Sequence, residues 1–162
     1  MRPLRPAEIR SSFVNCSQGE AKRLTLPSDP VWPDIDFLAW VDPKAEHNAY
    51  LVVPYGGDGL VGVSLRSATP PKGSVRSAMC GWCLTTLPVS DIALFSARKA
   101  GPAGKAGDTL GTYACRDLAC GLYTRSKRKP PVPQPAETLN QADRVERLLA
   151  RVTRFVDQVV AG

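Results

Sequence analysis

Residues 79–86 read Met-Cys-Gly-Trp-Cys-Leu-Thr-Thr, and residues 113–120 read Tyr-Ala-Cys-Arg-Asp-Leu-Ala-Cys. Two residues separate the first pair of thiols and four separate the second. A two-residue spacer at a tight turn points both sulfurs the same way, as tetrahedral zinc requires, and Gly81 eases such a turn. The longer spacer lets Cys115 end a strand while Cys120 comes off the first turns of a following helix. Strand, turn and helix then close around one ion. The 31 residues between Cys83 and Cys115 hold a hairpin that parts the pairs in sequence and brings them back together in space. That is the plan of a treble-clef zinc finger.

The remaining ligand candidates are few. His47 is the only histidine and sits in a polar loop, and Cys16 stands alone near the start, read as a partly buried core residue. The expected ligands are therefore Cys80, Cys83, Cys115 and Cys120, holding one structural zinc. An iron site of the rubredoxin type uses the same four thiolates and stays open. A redox dithiol would open the helix of a βαβ unit, whereas this Cys-x-x-Cys lies between strand-like runs. Four thiolates close the metal's shell, and the chain carries no triad, phosphate loop or nucleophile elbow, so it is not read as an enzyme. With both flanking sulfurs turned to the metal, the Trp82 indole is expected to face outward beside cations, as a binding-surface candidate. Trp32 and Trp40 are read as core or core-edge.

Size and charge frame this site. A chain of 162 residues, 43% apolar, suits one domain spanning 1–162. No apolar run approaches a membrane span and the first ten residues lack an apolar export signal, so a cytoplasmic protein is expected, with no membrane partner. Cytosolic thiols are kept reduced, which favours metal over disulfides. Between 76 and 129, nine basic residues face three acidic ones, a local charge equal to the whole chain's +6. Such a basic zinc-finger region, 76–129, fits an anionic macromolecule, nucleic acid or an acidic protein surface, and not a small-molecule substrate.

The rest of the chain reads as follows. Pro6 to Phe13 forms a short helix, and Ser17-Gln18-Gly19-Glu20 is a capping box opening a second through Leu24. Runs at 36–40, 50–53 and 59–65 predict an antiparallel meander, turned at Pro54–Gly59 and closed by a polar link over 69–74. Further strands are expected at 92–97 and 109–115, flanking a flexible basic loop at 98–109, with a short helix from Arg116 to Tyr123. A proline-rich stretch, 129–135, crosses the surface as extended chain. From about 139 to 160 apolar residues recur every three or four positions, predicting a long C-terminal helix with Arg144, Arg147, Arg151 and Arg154 in water. Thr138 with Gln141, or Asn140 with Asp143, offers its cap. The expected class is α+β: a small antiparallel sheet, a treble-clef zinc finger and a long C-terminal helix.

These motifs, in order, resemble a known family. Ala7 to Asn15, Glu20 to Leu24, the Cys80/Cys83 knuckle, Ala93-Leu94-Phe95-Ser96-Ala97, Gly111 to Cys115 and Asp117 to Cys120 together resemble the FBP domain. This is the treble-clef zinc finger of elongation factor G-binding proteins, including FusB-type fusidic acid resistance proteins. The resemblance implies a cytoplasmic, non-enzymatic protein that binds elongation factor G and helps it leave the ribosome. It carries over the four zinc ligands and places the partner surface near the finger, with Phe95, Lys99, Lys105 and Tyr113 as candidates. Trp82, Lys99, Lys105, Arg125, Lys127, Arg128 and Lys129 complete the expected docking face, toward elongation factor G or adjacent ribosomal RNA. Direct RNA binding by the basic finger is the alternative. The resistance proteins carry an added N-terminal helical domain, and this chain starts almost at the zinc domain, so factor binding rather than drug protection is expected.

Overall fold

In a strand, successive side chains leave on opposite faces, and the central strands here bury both. Ala49, Leu51 and Val53 turn to one core while Tyr50 and Val52 turn to another. The computed structural model describes residues 1–68 and 76–162; the polar link read at 69–74 lies outside them. In chain order the elements are α1 (Pro6–Ser11), α2 (Gln18–Arg23), β1 (Leu38–Val41), β2 (Asn48–Tyr55), β3 (Gly59–Ala68), β4 (Ser77–Met79), β5 (Thr86–Pro88), β6 (Ile92–Arg98), α3 (Gly101–Lys105), β7 (Thr109–Cys115), α4 (Cys120–Thr124) and α5 (Gln141–Val160). The larger sheet has five antiparallel strands in the order β1-β2-β3-β6-β7, and β4 with β5 makes a small separate hairpin. The α+β class expected from the sequence is the one observed.

One face of the sheet carries α5. Leu148, Val152, Phe155, Val156 and Val159 form its buried stripe and join Leu51, Val63, Leu65, Ile92 and Phe95 in one core. Asn140 caps the helix, its side chain accepting from the Asp143 N–H at 3.0 Å. The other face carries the N-terminal segment, where Leu4, Ile9 and Leu24 pack on Leu38, Trp40, Tyr50 and Val52. The Ser17–Glu20 capping box opens α2 as expected. The segment crosses β3 at Gly62, and a Cβ there would sit 2.5 Å from Ser12 Oγ, so only glycine admits the crossing.

Three local expectations are corrected, and one pair of strands was not foreseen. Helix α1 stops at Ser11, because Phe13 leaves it to bridge Gly62. Residues 98–109 are not an open loop but enclose α3, entered through Pro102 and packed so tightly that a Cβ on Gly104 would meet Lys99 O at 1.8 Å. The helix expected from Arg116 begins only at Cys120, because Leu118, at φ 57, turns the chain first. The three-residue strands β4 and β5 carry the first cysteine pair and are too short to show a period in sequence.

The proline-rich stretch is fastened at one residue. The Gln134 side chain accepts from Thr86 N at 2.8 Å and donates to Thr86 O at 2.8 Å, so its amide pairs with the edge of β5 as a strand residue would. Among the described residues no helix is long and apolar enough to cross a membrane.

Candidate metal centre

Two backbone features shape the first knuckle. Cys80 N donates to Thr85 O and Leu84 N donates to Cys80 O, folding residues 80–85 into a closed turn with Leu84 at φ 60. Gly81 N donates to Tyr113 O at 2.7 Å, joining this turn to β7. A Cβ on Gly81 would lie 3.0 Å from that same oxygen, which is why a small residue stands there. On the other side Cys115 ends β7, Leu118 N donates to Cys115 O, and Asp117 Oδ1 accepts from Ala119 N at 3.0 Å, so Cys120 starts α4.

The result is four buried thiols whose sulfurs all lie within 4.8 Å of one another. Cys80 and Cys120 are 3.7 Å apart and Cys83 and Cys115 are 3.6 Å apart. A regular tetrahedron with Zn–S bonds of about 2.3 Å has sulfur–sulfur edges of about 3.8 Å. A disulfide would need about 2.0 Å, and all five cysteines are free thiols. The spacing therefore fits a central ion and not a bridge.

The electrostatics agree. Packed without a cation, the thiols oppose each other's ionisation: hydrogen bonding from Cys115 lowers the pKa of Cys80, while contact with Cys115 raises that of Cys120. A divalent cation lets all four be thiolates at once. Cys83 N points to Cys80 Sγ at 3.4 Å and the Thr85 hydroxyl lies 3.2 Å from Cys83 Sγ, polar neighbours suited to thiolate charge. An ion held there would have every coordination position taken by sulfur, the closed shell of a structural zinc site.

A knuckle and a strand-to-helix turn closing four buried cysteines around one zinc define a treble-clef zinc-binding protein. The chain belongs to the FBP C-terminal treble-clef zinc-finger family, whose match runs over residues 8–159. A solved structure, that of the fusidic acid resistance protein FusC, is similar at a TM-score of 0.43 and 18% identity, over 71% of this chain and 56% of that one. The chain thus spans a little over half the length of that protein. No curated protein matches the sequence.

The partner-surface residues expected from the sequence are not brought together. Trp82 is 2% exposed and does not face outward. Pointing away from the metal takes its indole into the main core, edge-on to Phe155 at 5.8 Å and Phe37 at 6.4 Å. Its Nε1–H is buried without an acceptor among the described residues. Phe95 is fully buried, on the inward face of β6. Arg125 grips Asp36 through Nη2 at 2.6 and 2.8 Å, Lys127 pairs with Asp34 at 2.6 Å, and Arg128 pairs with Asp117 while lying over the Tyr123 ring. These three cations tie α4 and the chain after it to residues 34–36 and 117.

Lys99 and Lys105 sit elsewhere. The ladder pairs Ile92 with Cys115 and Arg98 with Thr109, so the hairpin end bearing α3 lies roughly 20 Å from the metal. Ala100 N donates to Val159 O near the end of α5, whereas Arg144 near its start reaches Ser126 Oγ. Fifteen residues of helix, roughly 22 Å, therefore separate Lys99 and Lys105 from the cations of 125–129. Zinc does not brace the 98–109 segment directly; the end of α5 does.

Of the remaining expected residues, Tyr113, two positions before Cys115, is 46% accessible, and the exposed Lys129 lines a depression with Cys83. Sequence reasoning missed two neighbours. Met79 is also 46% exposed beside the knuckle, and Arg151 Nη1 donates to Gly81 O at 3.2 Å, clamping α5 to the turn. The helical period gave Arg151 to solvent, and no local signal marks its contact.

Proposed function

We propose that this chain is a non-enzymatic zinc-finger protein of the cytoplasm that binds elongation factor G and assists its release from the ribosome. The observation that carries this reading is the FBP family match over 8–159 together with an intact four-thiol site. The zinc fixes a knuckle and a short helix that bury little apolar surface of their own, and so holds a surface in one shape for a macromolecular partner. Met79 and Lys129 line one depression with the ligand Cys83, and Tyr113 is exposed two residues before the ligand Cys115; these are the contact candidates, an aromatic, a flexible apolar side chain and a cation. Lys99 and Lys105 form a second basic patch, which widens the footprint and speeds encounter with an acidic partner.

The test is capture of purified elongation factor G by the zinc-loaded chain at low ionic strength. Capture is expected to weaken with salt, to drop several-fold in Tyr113→Ala with Lys129→Glu, and to vanish after zinc is stripped. No capture at low salt, or capture indifferent to zinc, would overturn the reading. Retention of RNA in place of the factor would favour the nucleic-acid alternative.

A further inference from the structure

The strand β1 forms one edge of the five-stranded sheet. In an antiparallel ladder, alternate residues of an edge strand turn both backbone groups to their neighbour and the others turn theirs outward. The bond from Asp42 N to Asn48 O, 2.8 Å, sets the phase, and the register pairs Trp40 with Tyr50 and Leu38 with Val52. Leu38 and Trp40 therefore bond β2, and Ala39 and Val41 present N–H and C=O to the open side. Neither residue's backbone has a partner among the described residues.

Those four groups open into a groove of about 720 Å³ between β1, the 25–31 segment and α4. Pro27 and Pro30 on the facing segment have no N–H to offer, and no backbone hydrogen bond crosses from it to β1. Val31 on the rim is 60% exposed, with Ile35 and Leu122 lining the groove further in. Its charged lining is one sign only: Asp29, Asp34, Asp36 and Asp117, with no Lys, Arg or His. Cations from outside the groove hold three of these, while Asp29 is in no ion pair among the described residues. Edge strands are ordinarily blunted by a lysine, a proline or a covering loop. At four residues β1 is short, but its two outward residues carry none of those devices.

We propose that β1 is a docking edge for an extended peptide with a basic residue, which adds to the sheet as a further strand. Ala39 and Val41 bond the peptide backbone, Val31 and Leu122 meet its apolar side chains, and Asp29 receives its lysine or arginine. Residues 117–122, around the ligand Cys120, form one wall of this groove, but the proposal does not depend on the elongation factor reading.

The test uses the full zinc-loaded chain, with backbone amide spectra recorded during titration with acetyl-Lys-Val-Lys-Val-Lys-Val-amide. Shifts and slowed exchange are expected at the Ala39 and Val41 amides. The same peptide with Glu for Lys is expected to bind at least fivefold more weakly, and a version N-methylated at alternate residues to lose binding. Ala39→Pro removes one outward donor without touching the β2 ladder, so folding is expected to persist and affinity to fall roughly tenfold. Asp29→Asn is expected to cost roughly threefold. Unmoved Ala39 and Val41 amides, equal binding of the Glu peptide, or undiminished binding of the N-methylated peptide would overturn the proposal.

Discussion

The five-stranded sheet and the zinc finger share one core yet hold their shape by different means. In the sheet, β2 alone buries five apolar side chains on two faces, and the ladder pairs strands of up to ten residues. The finger has strands of three residues and a helix of five. It also contains all three non-glycine residues with left-handed backbone among the described residues: Leu84, Leu118 and Ser126. Left-handed backbone costs such residues about 1–2 kcal/mol each. A region that is short of apolar surface and bent against its preferences persists when something else fixes it, and here four sulfurs around an ion do so. Burial specifies the sheet, and coordination specifies the finger.

The largest expected effect separates the two directly. In zinc-finger peptides the bound ion supplies about 10–16 kcal/mol of folding free energy. Stripping the metal, or Cys120→Ser, is expected to remove amide exchange protection from 77–90 and 113–128 while β2 and β3 keep theirs. Simultaneous loss in both regions would break the distinction. Trp82→Ala tests the join, because the indole carries the finger into the α5 core. A cost of about 3–5 kcal/mol in denaturant unfolding is expected, and a value near zero would mean that the two regions stand independently.

Opposite ends of the pH scale sharpen the contrast. The finger needs thiolates, so acid is expected to release zinc, measured with a chromogenic zinc chelator as pH falls. The sheet has the reverse weakness at Tyr50. Burial, helped by the neighbouring Asp42 carboxylate, pushes its hydroxyl up to about 12 from an ordinary 10. The folded state thus favours the neutral phenol. Its contribution is complete below pH 10 and is lost as pH rises toward 12. Stability measured at pH 9 and pH 11 is expected to fall between the two, less so in Tyr50→Phe. The smallest effect is a gain: Ser126→Gly relieves a left-handed exposed residue and is expected to add up to about 1 kcal/mol in thermal unfolding. A loss there would show that the weak Arg144 contact to its hydroxyl outweighs the relief.

Much of this was legible in the sequence where the signal is local or periodic. The alternation in β2, the stripe of α5, the Ser17–Glu20 box and the spacing of the four cysteines each follow from contacts a few residues apart or from a repeating pattern. The failures share a cause. Arg125 and Lys127 look free until Asp36 and Asp34, about ninety positions earlier, fold against them. The knuckle alone turns Trp82 away from the metal, but away from the metal is toward Phe155, 73 residues later. Joining Lys99 and Lys105 to the metal assumed that neighbours of a finger in sequence are its neighbours in space, which the length of the β6–β7 hairpin prevents.

The Gln134 amide gives the proline-rich stretch an unusual dependence. A run of prolines offers almost no donors with which to set its position on a surface, so slippage by one or two places would otherwise go unopposed. One side chain, by imitating a peptide unit against Thr86, acts as a bolt that sets where the belt lies across the cysteine hairpin and how much slack reaches α5. Drawing that bolt would let the belt slide, while the cysteine site, Trp82 and Arg151 keep the hairpin where it is.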